Sequence, residues 1–187
     1  MVPVLSLWLP ILVAAILVFV VSSVIHMFLP YHWSDWSPVP QEDEVLDTLR
    51  QVGITPGNYT IPHAPSMAAM KEEVYIEKRE RGPVAMITVV QSGSGGMGKQ
   101  MLLWFLFCIV VGIFAAYIAG RALTPGAEYA EVFRFTATAA FLAYAVGEWQ
   151  QSIWWGRSWT TTFKNTVDGL VYALLTAGTF GWLWPAM

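Results

Sequence analysis

Four long apolar stretches dominate this chain, at Val4–Phe28, Gln100–Gly120, Val132–Gly147 and Thr166–Trp184. About 20 apolar residues, wound as a helix, cross a hydrocarbon core of about 30 Å. Backbone polar groups in lipid must be satisfied internally, so such stretches become helices. The expected fold is an all-α membrane protein. It is a four-transmembrane-helix bundle with a small α/β extramembrane unit between helices 1 and 2. The division is residues 1–29 for the first span, 30–99 for the small unit and 100–187 for the other spans.

Composition supports this reading. The chain has 187 residues, 56% hydrophobic and 12% charged, which leaves little for a soluble core. A net charge of -3 without a basic stripe argues against a nucleic-acid partner. Cys108 is the one cysteine, so no intrachain disulfide can form. The first stretch reads as a retained helix rather than a signal peptide. It lacks a basic segment before Val4, and no small-x-small site follows it at His26-Met27-Phe28-Leu29-Pro30.

The small unit opens on Pro30-Tyr31-His32-Trp33-Ser34-Asp35-Trp36, an aromatic exit suited to the headgroup level. Gln41–Val52 is expected to be a helix, with Glu42, Asp43 and Glu44 complementing its dipole and Gly53 ending it. Asn58–Ile61 reads as a strand and Met67–Arg81 as a second helix, with Glu77 and Arg81 paired. Val84–Val90 reads as a buried strand. Two short helices and two strands make a marginal core, so this unit is expected to dock on something.

Near the span ends, Lys99, Arg157 and Lys164 lie on the side of the small unit, against Arg121 and Arg134 on the side of the termini. That bias places residues 30–99 in the cytoplasm. The link after the third stretch holds Trp149, Trp154, Trp155 and Trp159. With Trp33 and Trp36, these are expected to anchor the protein at the membrane interface.

Several motifs invite a chemical reading. Gly93-Ser94-Gly95-Gly96-Met97-Gly98-Lys99 fits part of a phosphate-binding loop, but Gln100 follows where magnesium needs Ser or Thr. It reads as a linker. His26, His32 and His63 are candidate metal or haem ligands, with Asp35 as an added carboxylate. None has helical i, i+4 spacing, and structural roles are the simpler reading. Glu131, Arg134, Glu148 and Asp168 fall at expected span ends, with Asp168 in the first turn of span four, and read as ion-pairing groups. Tyr117, Tyr144 and Tyr172 can bond between helices or line a pigment or quinone pocket.

Small residues recur every four positions in three spans: Gly112, Ala116 and Gly120; Ala139, Ala143 and Gly147; Gly169, Ala173, Ala177 and Gly181. Such stripes let helix backbones approach closely in lipid. The tail Asp168–Pro185 and the Leu29-Pro-Tyr-His32 exit are similar to scattered motifs of small bacterial membrane proteins. That resemblance implies a bacterial inner-membrane location and carries no activity or cofactor.

The functional expectation is a non-catalytic structural or accessory subunit of a larger membrane complex. Its partners would be membrane lipid and other membrane-protein subunits, or further copies of itself. A small-solute or ion transporter is the alternative, and needs a polar route through Thr136, Thr138, Thr176, Thr179 and the tyrosines. A metal- or haem-binding membrane protein is the third reading.

Overall fold

The computed structural model of the chain describes residues 1–93 and 95–186. It divides into two compact units, one of residues 1–36 with 96–187 and one of residues 37–95. The boundary expected at residue 30 therefore moves to 36/37, because the exit segment packs with the helices.

The larger unit is helical. A 3-10 turn at Val4–Leu7 leads into α1 (Trp8–Phe28), and a second 3-10 turn follows at Pro30–Asp35. Pro10 sits in the first turn of α1, where the missing N–H costs least. After the smaller unit, which carries α2 and α3, come α4 (Gly98–Ala122), α5 (Tyr129–Tyr144), α6 (Trp149–Trp155) and α7 (Trp159–Trp182). Two helices, Val4–Phe28 and Gly98–Ala122, are long and apolar enough to cross a membrane. The other two expected spans differ from the sequence reading. α5 has 16 residues and ends at Tyr144. α7 begins seven residues before Thr166, because Ser158 caps it by accepting the Thr160 N–H at 3.3 Å. That early start moves Asp168 from a first turn into the third.

One core runs the length of this unit. Near one end Val2, Leu7, Ile11, Ala116, Val132 and Phe180 pack together. Toward the other, Ala15, Val18, Cys108, Ala140, Tyr144 and Tyr172 do so. Each cluster draws on α1, α4, α5 and α7. In lipid, such contacts gain by close packing rather than by leaving water. Gly120 makes this visible: a Cβ there would lie 2.4 Å from the Val2 carbonyl oxygen, and the Val2 N–H donates to Gly120 O at 2.7 Å.

The smaller unit contains α2 (Glu42–Val52), β1 (Gly57–Ile61), α3 (Glu73–Arg81) and β2 (Ala85–Val89). Gly53 ends α2 in the left-handed region, φ 71°. The strands pair antiparallel, Gly57 with Val89 through Ile61 with Ala85. Two corrections apply here. The helix expected from Met67 starts at Glu73, because Ser66 captures the Ala69 N–H at 3.1 Å and a 3-10 turn forms at Ala69–Lys71. The strand expected to be buried is not: Met86 is 52% exposed, since one face has no layer over it. Glu77 with Arg81, and Glu131 with Arg134, form no ion pair among the described residues.

Candidate functional site

A buried polar centre lies where the exit turn meets the ends of α1 and α7. α1 brings His26, the 3-10 turn brings Tyr31, His32 and Asp35, and α7 brings Lys164, Asp168 and Tyr172. The turn sets His32 and Asp35 three residues apart, on one side. Lys164, Asp168 and Tyr172 recur every four residues, so one face of α7 presents them in a row.

Asp168 is the hub and is 3% exposed. Its Oδ2 lies 2.7 Å from His32 Nε2 and 3.9 Å from His26 Nε2. Its Oδ1 accepts a hydrogen bond from the Tyr31 hydroxyl. His32 Nδ1 meets Asp35 Oδ2 at 2.6 Å. Asp35 Oδ1 accepts from Lys164 Nζ at 2.8 Å, and Lys164 also donates to Tyr31 O and, at 2.9 Å, to Ser34 Oγ. His26 and Tyr172 approach at 3.3 Å. His32 thus bridges the two carboxylates, and Lys164 holds the second of them.

The two groups outside the helices feel this setting. Burial first, then the bond to Asp168, pushes the Tyr31 phenol above its ordinary value. Burial alone would raise the Asp35 carboxyl. The hydrogen bonds and charges of Lys164 and His32 outweigh it and hold Asp35 below the usual carboxylate range.

A cavity of about 220 Å³ adjoins the centre, lined by His26, Asp168, Tyr172, Tyr144, Trp104 and Glu148 among others. Trp104 donates to Ser22 Oγ at 2.8 Å, which ties α4 to α1 beside it.

Two of the three histidines belong to this centre. His26, His32 and Asp168 offer ligand atoms within 4.8 Å of one another. His63 belongs to the smaller unit, where its Nδ1 lies 3.3 Å from Thr60 Oγ1. Asp35 sits behind His32 rather than beside the other rings. The small-residue stripes are placed unevenly. Gly112 faces Ile11, and Ala116 is fully buried. Gly169 faces Tyr144 and Ala145, Gly181 faces the Tyr129 ring, and Ala173 and Ala177 are buried between them. On α5 the expected stripe lies one residue off the packed face. Val132, Thr136, Ala140 and Tyr144 are buried, while Ala139 is half-buried and Ala143 and Gly147 are exposed. The six anchor tryptophans, Trp33, Trp36, Trp149, Trp154, Trp155 and Trp159, are all exposed.

The polar route needed for transport is occupied by local bonds. Thr136, Thr138, Thr176 and Thr179 each donate to the carbonyl four residues back at 2.8 Å. Among the described residues no buried side-chain polar atom lacks a partner. Tyr117 is 54% exposed and away from the centre. The phosphate-loop motif includes Ser94, outside the described residues, and the strand before it pairs antiparallel rather than in the parallel sheet such a loop needs.

The smaller unit has its own surface feature. An open trough of about 740 Å³ runs between α3 and the strand ends, with Ile61, Pro62, Val74 and Tyr75 along it and Lys78 and Arg81 at its edge. None of the described residues 37–93 is buried. Comparison with protein-family models, curated proteins and solved structures gives no match.

Proposed function

We propose that this chain is an integral membrane protein of four spans that serves as a non-catalytic accessory subunit, presenting its 37–95 unit to another subunit of a membrane complex. The observation that carries the reading is a folded unit none of whose described residues is buried. A two-stranded sheet is marginal in water, and Val52, Met67, Val74, Val84 and Val90 are all more than half exposed. Such a surface needs a partner to cover it. The trough fits an apolar segment with polar groups of both signs at its edge, since Glu72, Lys78 and Arg81 all line it.

Packing and the outer surface support four spans. α5 and α7 share one core with the two apolar helices. Their outward faces carry exposed Phe135, Leu142, Leu170 and Leu174, as α1 and α4 carry Ile16, Leu17, Leu106 and Phe114. Lipid is the natural cover for all four faces. α5 is about 24 Å long at the helical rise, short for a span, and the turn at Val146–Glu148 continues it. Both termini then share one side, and residues 37–95 face the cytoplasm of a bacterial inner membrane.

Extraction in mild detergent, followed by native mass spectrometry, tests the assembly. The expected result is one reproducible heteromeric mass, lost in the exposed trough variant Val74→Asp. A bare monomer in wild type overturns the reading, and a homo-oligomer replaces the foreign partner by a second copy.

A further inference from the structure

We propose that His26, His32 and Asp168 bind a divalent transition-metal ion, a site independent of the subunit reading above. Two imidazole nitrogens and one carboxylate oxygen suit zinc or ferrous iron, whereas calcium and magnesium prefer oxygen shells. Ligand atoms on a four-coordinate ion with bonds of about 2.1 Å stand about 3.4 Å apart. Asp168 Oδ2 already lies 2.7 Å from one ring nitrogen and 3.9 Å from the other. The first distance must open and the second close by about half an ångström or a little more, and the two ring nitrogens, within 4.8 Å of each other, must draw in around the ion.

Three further observations point to an ion. First, His32 offers Nε2 to the centre while its other nitrogen is held by Asp35 at 2.6 Å. A carboxylate behind a ligating imidazole fixes the ring and raises its donor strength. Asp35 is itself fixed by Lys164. Secondly, the ligands come from α1, the exit turn and α7, three elements of one compact unit. Thirdly, there is an entry. The His26 side chain is 48% exposed against 5% for Asp168, and both line the 220 Å³ cavity, which has room for a water or substrate oxygen as fourth ligand.

The ion would sit between His32 Nε2 and Asp168 Oδ2, and the contact of His32 Nδ1 with Asp35 Oδ2 stays in place behind it.

The test uses the full chain in mild detergent, with a purification tag free of histidine, stripped by chelator and titrated with Co²⁺ or Zn²⁺ alone. One ion per chain is expected, with the visible spectrum of four-coordinate cobalt. His26 is half exposed, so His26→Ala should keep the ion-free melting temperature and weaken binding at least tenfold. Asp35→Asn should weaken it about 10- to 100-fold without changing the stoichiometry. Failure of wild type to bind one ion, unchanged affinity in His26→Ala, or loss of binding in His63→Ala overturns the proposal.

Discussion

At the residue scale, the least tolerant positions are set by backbone distances rather than by side-chain size. A Cβ on Gly169 would lie 2.9 Å from the Tyr144 carbonyl oxygen and 2.8 Å from Ala145 Cβ. Neither can swing away, so Gly169→Ala should destabilise the bundle by about 1–3 kcal/mol, the usual range for an overpacked contact. Gly147 meets nothing within 4 Å, and Gly147→Ala should stay within about 0.5 kcal/mol. Thermal melts of both variants in one detergent check the contrast; equal melting temperatures would contradict the α5–α7 packing. Asp35 gives a second prediction. It ionises more readily in the folded chain than in the unfolded one. Its contribution is therefore complete above an unfolded value of about 4 and is lost as pH falls below that through the folded value. Stability should drop at the acid end, and Asp35→Asn should flatten that limb; an unchanged limb would show that Asp35 is not held as described.

At the element scale, the exit turn is fastened to α7 chiefly by Lys164. Its ammonium reaches Tyr31 O, Ser34 Oγ and Asp35 Oδ1, and is 18% exposed. Lys164→Met removes all three bonds and leaves Asp35 with His32 alone. The expected cost is about 2–4 kcal/mol, below that of a fully buried pair because water still reaches the lysine. Hydrogen exchange should rise across residues 30–36 and stay unchanged in the middle of α4. Uniform exchange across both would mean global loosening instead. This element also shows what the sequence revealed. His26 and His32 stand out by residue type and place, whereas hydropathy alone puts their partner Asp168 in a first turn. The start of α7 is polar, Trp-Thr-Thr-Thr-Phe-Lys-Asn, so hydropathy hides about two turns of it. The signal was present in another form: Ser158 as an N-cap, and Lys164, Asp168, Tyr172 and Thr176 at four-residue spacing. The α5 stripe lies beside the packed face for a related reason. Ala139 and Ala140 are both small, and periodicity cannot say which of two adjacent small faces is packed. The α4 and α7 stripes lie against close neighbours because glycine there meets backbone or a ring, a contact that no single-helix pattern encodes.

At the scale of the whole molecule, the helical unit and the 37–95 unit solve different problems. The first is packed through its interior and exposes apolar side chains outward, the arrangement lipid requires. The second has short elements, legible to within a few residues from caps and turns, but no interior. Its strand face was read as buried because Val84–Val90 is apolar, and what covers that face is not encoded in the hydrophobic pattern of one chain. The proposed four-span topology would place both termini on one side of the membrane and residues 37–95 on the cytoplasmic side. Compartment-sensitive reporters fused at each end should both read periplasmic; a cytoplasmic signal from both would invert the orientation, and opposite signals would remove a span.

The most direct measurement of the accessory role is photo-crosslinking in native membranes, with the reactive group in place of Tyr75 in the trough and, as a comparison, in place of Val24 on the exposed face of α1. The accessory role predicts one protein adduct of defined mass at position 75, reduced by Val74→Asp, and mainly lipid adducts at position 24. No protein adduct at position 75 in membranes that contain the protein at its natural level would contradict it.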